Sequence, residues 1–358
     1  MGLRDRIRGF HHHDVYQTTG NSWEPFMNKL FYLIGAIVLV ALPFIGVPQY
    51  YMHVLITILI LSFTYTSWSL MGRFGLVSLG HGAFMGVGAY TVAMLWNYLS
   101  LTPWIGIPVG LLLSMGVAIL IGYPCFRFRI VGHYFALVTL ALSEVILMLI
   151  MALRDHTGGS LGLTPERFGE GTSLYALQFA DKETFYLIAL VSWAFGIWVW
   201  KKVDSSMERY ALEAISEDED AAASVGIHVT RQKLRITVIS AVMTAFGGIL
   251  YGQYQMYINP HTVSGVGISL QIVFAVVAGG MYVAFGPTVG AIITISLAEF
   301  LRVLIGTAMV GLDTTIYGLM LILFIIFLPQ GILGAILEMG SRKKAVRNLA
   351  AAMGAAPR

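Results

Sequence analysis

Charge is scarce in this chain. Of its 358 residues, 11% are Asp, Glu, Lys or Arg, against about 25% in a typical soluble domain. A soluble fold of this length would have too few charges to build its polar surface. Cysteine is scarcer still. Cys125 stands alone, so no intrachain disulfide forms and no Cys-x-x-Cys site exists for zinc or redox work. No G-x-x-x-x-G-K-[ST] segment occurs, so any ATP hydrolysis would belong to another chain. The net charge of +3 gives no basis for a nucleic-acid partner. Residues 1–28 are polar, with Arg4, Arg6 and Arg8. They lack the apolar core of a cleavable signal peptide. The run His11, His12 and His13 reads as a solvated terminal stretch rather than a metal site.

What is abundant is apolar sequence: 57% of residues, with a mean hydropathy of +0.76. It comes in blocks close to the roughly 17–25 residues that span a bilayer. About ten candidate spans stand out, near 29–44, 50–71, 74–96, 104–123, 133–153, 184–200, 236–257, 267–283, 287–305 and 314–336. Glycine interrupts the third and the eighth. Ten spans put both termini on one side. With that side cytoplasmic, 18 Lys and Arg residues lie inside, while Arg154, Arg167, Lys182 and Arg302 lie outside. This agrees with the excess of basic residues on cytoplasmic loops. The expected architecture is an all-α integral membrane protein with both ends cytoplasmic. Residues 1–28 form an N-terminal segment, 29–337 the transmembrane domain and 338–358 a basic tail. Two inverted five-helix halves with broken or re-entrant helices fit the count, although no internal sequence repeat is visible.

The largest inside loop, 201–235, carries the most distinctive pattern. Ser205 and Glu208 match a capping box, so a helix is expected to begin there and run to Ser224. Ala211, Ile215, Ala222 and Val225 fall near helical spacing as a narrow stripe of small and apolar residues. Glu213, Glu217, Asp218, Glu219 and Asp220 occupy the other faces. Gly226 suits the left-handed turn that stops a helix, and Thr230 can cap the next span. Such a helix fits a slot in a soluble partner, or is a solvated linker.

The segment ERYALEAISEDEDAAASVGIHVTRQKLR resembles the cytoplasmic coupling loop of ABC importer permeases. Ala221, Ala222, Ala223 and Gly226 stand where that loop has its alanines and glycine, with Glu213, Ala214, Glu217 and Asp218 alongside. The stretches GRFGLVSLGHGAFMGVGAY, HYFALVTLALSEVI, TGGSLGLT and LPQGILG are similar to the LivM-type permeases of the branched-chain (hydrophobic) amino acid uptake family. The resemblance covers roughly residues 50–334. It implies a non-catalytic subunit of an ATP-driven importer in the bacterial inner membrane. The partners it implies are a second, LivH-like permease, two ATPase subunits that use the ATP, and an extracytoplasmic solute-binding protein. The solute would be a branched-chain amino acid or a related small polar molecule such as urea, an amide or an aromatic acid.

Several residues are candidates for the solute path. Ser78, Gly80, His81 and Gly82 sit in the glycine-rich third span, where a broken helix frees backbone groups for a polar solute. Close packing is the other reading, since Gly82 and Gly86 form a GxxxG pair. His81 equally suits an interhelical hydrogen bond. Glu144 lies in an otherwise apolar span, where a carboxylate costs on the order of 2.5–3.5 kcal/mol unless paired or hydrated. It faces either solute or another helix. Thr157, Gly158 and Gly159 begin a glycine-rich outside loop, either an anion-binding turn or an ordinary one. Many relatives carry a polar residue where this chain has Leu161. Glu299 and Arg302 are spaced to pair across one turn. No metal or catalytic set is expected. An ion-coupled secondary transporter, a passive channel and a membrane enzyme are the other classes. The first would show more buried carboxylates, and the last would need a clustered acid–base or metal set.

Overall fold

The computed structural model describes residues 37–305 except Glu170, together with residues 35, 315, 316, 318, 319, 323 and 331–334. The terminal segments, much of the first expected span and most of the tenth lie outside the described residues. Among those described, seven helical segments are long and apolar enough to cross a bilayer. At 1.5 Å per residue their 19 to 27 residues match or exceed, to within about one residue, the roughly 30 Å of a hydrocarbon core. The chain is therefore a multi-pass, all-helical membrane protein.

The principal helices are α1 (Gln49–Gly72), α2 (His81–Leu99), α3 (Pro103–Arg127), α4 (His133–Ala152), α5 (Lys182–Asp204), α6 (Met207–Glu217), α7 (Glu219–Ser224), α8 (Val229–Gln255), α9 (Gly265–Gly279) and α10 (Gly286–Ile305). Helices α1 and α8 form the interior. Their apolar windows are 83% and 61% buried, against 28% for α3 and 33% for α4 and α10. The last three present their apolar faces outward, as lipid or a partner subunit requires. Helix α8 packs on α1, α2 and α3, while α1 packs on α5, α8, α9 and α10. Glycine permits a close crossing of α2 and α8. A Cβ at Gly88 would meet the Ala245 carbonyl, and one at Gly248 would meet the Met85 carbonyl. The α2 and α8 backbones thus touch directly, as small residues allow in lipid.

The third and eighth spans are broken, as their glycines predict. The third becomes helical only at His81, after an irregular stretch from Arg73 to Gly80. The eighth is a single turn, Pro260–Val263, followed by α9 from Gly265. Gly75 and Gly265 have φ of +77° and +87°, in the region that glycine enters without a Cβ penalty. The sixth and seventh spans extend to 182–204 and 229–255, because their flanking charged turns stay helical beyond the apolar block.

The bundle has two distinct ends. At one, ion pairs join Arg73 to Asp204, Arg129 to Asp220, Lys233 to Glu219 and Arg235 to Glu208. At the other, the 153–181 loop receives hydrogen bonds from Trp96 to the Glu166 carbonyl, Tyr98 to the Asp155 carbonyl and Trp104 to the Leu174 carbonyl. Leu163 also pairs with Ile258 there. Glu299 and Arg302 pair at 3.6 Å as their spacing predicts, and Tyr50 donates to Glu299 at 3.1 Å.

Candidate functional site

The break before α2 positions the central site. The Trp68 indole N–H donates to the Ser78 carbonyl at 2.7 Å, and the Leu79 N–H donates to Thr139 Oγ1 at 3.0 Å. The break is thereby pinned between α1 and α4. Ser78 Oγ accepts from the Gly80 N–H at 3.1 Å. His81 then starts α2 fully buried, 0% exposed. Its Nε2 lies 2.8 Å from Ser240 Oγ on α8, and Ser240 donates to the Ser67 carbonyl on α1 at 2.6 Å. Ser67 and Thr244 share a hydrogen bond of 2.6 Å. On the other flank, the Gly82 N–H donates to Ser269 Oγ on α9 at 2.9 Å, and Ser269 meets Ser143 Oγ on α4 at 3.0 Å. Five helices thus converge on residues 80–82 through one buried polar seam.

Helix α9 begins against the same seam. A Cβ at Gly82 would fall 2.5 Å from the Gly265 carbonyl, and one at Gly86 would fall 2.8 Å from Ser264 Cβ. The GxxxG pair therefore serves close packing, and the same contact brings two helix N-termini together. Glu144 Oε1 accepts the Val266 N–H at 3.0 Å. This satisfies one orphan donor of α9 and sets a negative charge at the positive end of its dipole. His81 Nδ1 and Ser264 Oγ, one at each N-terminus, are buried without a protein hydrogen-bond partner. Such groups are rare and costly in a folded interior. The chemistry on offer is uncharged hydroxyl and amide hydrogen bonding, two helix N-termini and one carboxylate.

The remaining candidates lie elsewhere. Thr157, Gly158 and Gly159 follow the end of α4, away from the seam. Thr157 Oγ1 donates to the Ile150 carbonyl at 2.5 Å and accepts the Gly159 N–H at 3.2 Å, while the Gly158 N–H donates to the Arg154 carbonyl at 2.9 Å. These amides are spent within the turn, so the anion-site expectation gives way to an ordinary turn. A cavity of about 670 Å³ opens at this end, lined by His53, Arg167, Gln178, Lys182, Gln253 and Tyr254 among others. None of the residues singled out for the solute path lines it.

The coupling-loop candidates sit at the opposite end, and the structure changes their arrangement in three ways. First, the chain is extended at Asp218, so the expected single helix is two, α6 and α7. Asp218 caps α7 by accepting from the Asp220 and Ala221 N–H groups at 2.8 and 3.0 Å. Second, the capping box is absent. Ser206, not Ser205, precedes α6, and its hydroxyl donates to the Val203 carbonyl. Thr230 likewise lies inside α8, after His228. Third, Ala222 is 3% exposed and Ile215 is also buried, turned toward the bundle with Leu212. Glu213 is engaged by Arg209 at 2.7 Å. The outward face instead carries Met207, Tyr210 and Val225, with Met207 84% exposed, beside Glu217, Asp218 and Ala221. Gly226 has φ +91°, the left-handed stop its position predicts.

Ser67, Ser240, Thr244, Ser264 and Ser269 were not legible as site residues from spacing. The usable signal is the density of hydroxyls in 62–69, where Ser62, Thr64, Thr66, Ser67 and Ser69 fall within one span.

The family model described as "Branched-chain amino acid transport system / permease component" matches residues 50–328. Two curated relatives, each called "High-affinity branched-chain amino acid transport system permease protein LivM", come from Salmonella typhimurium and Escherichia coli. Each is 31% identical over 283 residues, which is 74% of this chain and 65% of the relative. The chain thus spans a little under two thirds of the length of the curated relatives it matches. No solved structure matches it significantly. A match over most of the chain, with broken spans meeting at a buried polar seam, places this protein in the family of branched-chain amino acid transport system permease components.

Proposed function

We propose that the chain is the transmembrane permease subunit of an ABC importer and forms half of a translocation path for branched-chain amino acids or a related small polar solute. The observation that carries this reading is the meeting of α2 and α9. Each starts inside the bundle after a glycine break, and they enter from opposite ends. Membrane transporters place substrate sites where such half-helix N-termini converge. The pairing pattern supports two inverted halves: α1, α2 and α3 correspond to α8, α9 and α10, since α8 packs on α2 and α3 as α1 packs on α9 and α10. This pairing and the basic residues support ten spans with both termini cytoplasmic. The end bearing Arg73, Arg127, Arg129, Lys201, Lys202, Arg209, Arg231, Lys233 and Arg235 is then the cytoplasmic face of an inner membrane.

In this reading the exposed face of α6 and α7 docks an ATPase subunit, with Met207, Tyr210 and Val225 as apolar contacts and Glu217 and Asp218 setting register. Ala222 and Glu213 support that face from within. Two ATPase subunits use the ATP, and this chain binds no cofactor. A LivH-like second permease and an extracytoplasmic binding protein complete the importer. The test is reconstitution of the assembly in proteoliposomes with radiolabelled leucine. Uptake that requires ATP and stops when the ATPase phosphate-loop lysine is replaced is the expected result. Uptake that persists without ATPase subunits, or follows an imposed proton gradient, overturns it in favour of a channel or a secondary transporter.

A further inference from the structure

The break before α2 is tied to the end of the bundle that carries α6 and α7 by a single charged side chain. Arg73 is the only charged residue in 73–80. It follows α1 directly, and its side chain is 5% exposed. The guanidinium carbon lies 4.2 Å from the Trp200 ring centroid and 4.7 Å from that of Phe74. Nη1 donates to Asp204 Oδ1 at 2.8 Å. Nε and Nη2 are buried with no hydrogen-bond partner. Burial lowers the pKa of the group and Asp204 opposes that shift. Arginine nevertheless stays protonated in proteins, so a full cation is held between two rings with one anchoring carboxylate. The anchor is shared. Asp204, the last residue of α5, also accepts from Arg209 Nη1 at 3.5 Å, and Arg209 Nε donates to Glu213 on α6 at 2.7 Å. An unbroken charged chain therefore runs from α6 through Asp204 to the first residue of the break. The other ion pairs at this end join α6 and α7 to α8 and to Arg129, just after α3. Arg129 and Asp220 are largely exposed, where such a pair contributes little.

We propose that Arg73 is the positioning residue through which movement of α6 reaches the break that sets the N-terminus of α2. The inference rests on α6 being the ATPase-docking helix. A displaced α6 carries Glu213 and Arg209 with it. Asp204 then draws on a guanidinium that cannot slide freely between its two rings. The far end of the break is held to α1 and α4 by Trp68 and Thr139, so a pull at Arg73 acts on a short segment fixed at its other end.

The test uses the complete reconstituted importer, with ATP hydrolysis and leucine uptake read in the same vesicles. Arg73→Gln and Asp204→Asn are each expected to keep near-normal ATP hydrolysis while leucine moved per ATP falls about tenfold, in line with the size of coupling changes produced by residues between sites. Arg73→Lys keeps the charge and loses the planar stacking, so partial recovery is expected. An unchanged ratio in both neutral variants overturns the inference, as does an equal fall in hydrolysis and uptake. Failure of both variants to assemble would leave Arg73 a structural residue and overturn it as well. If the wild-type assembly shows no ATP-dependent uptake, it is the importer reading that fails.

Discussion

At the residue scale, Glu144 shows how a carboxylate is kept inside a membrane-spanning helix. The side chain is half-buried, and one oxygen accepts the Val266 N–H at the start of α9. That hydrogen bond and the helix dipole offset part of the insertion cost. Gln at this position retains an acceptor, whereas Ala leaves a backbone donor unmatched. Glu144→Ala should therefore lose about 1–3 kcal/mol of stability, while Glu144→Gln should lose far less. Thermal unfolding of the detergent-purified protein measures the difference, and equal midpoints for Ala and wild type would dismiss the capping role. The sequence marked Glu144 as anomalous for its depth. It held no information on which helix the carboxylate meets, since Glu144 and Val266 are 122 positions apart.

Among the elements, α6 and α7 separate local signals from tertiary ones. Their composition favours one continuous helix. Asp218 interrupts it because its carboxylate accepts from two N–H groups at the start of α7, and Asp competes well for such caps. Asp218→Ala should weaken α7 by about 1 kcal/mol, seen as faster amide hydrogen exchange in 219–226 with α8 unchanged. Unaltered exchange there would mean that packing of Ala222, not the cap, holds α7. The direction of the small-residue stripe was also beyond the pattern. Spacing places Ile215 and Ala222 on one stripe, but only contact with the bundle decides that the stripe faces inward. The outward apolar residues Met207 and Tyr210 lie outside the stripe that spacing picked out.

For the whole molecule, the two-ended distribution of charge and loops predicts sidedness. With Cys125 replaced by Ser, Leu161→Cys should react with a membrane-impermeant maleimide added to intact cells. Val225→Cys should react only after the membrane is permeabilised. Both positions are exposed in the subunit, at 71% and 76%, so with the subunit expressed without its partners access and not burial sets the outcome. Reaction of both from outside would overturn the orientation. The sequence by itself determined the solvent of this protein, the approximate spans among the described residues, the basic end and the family. These rest on composition, on block length and on contiguous motifs, which need no long-range contact. It also placed the disruption of the third and eighth spans, because glycine acts on its own backbone. Tertiary structure alone decided that the two disrupted spans meet, that His81 answers Ser240 and Gly82 answers Ser269, that the turn at Gly158 keeps its amides to itself, and that Arg73 reaches Asp204. Each of these joins helices far apart in the chain or depends on how a turn closes. Helical periodicity ranks the faces of a helix, but it does not say which neighbour each face will find.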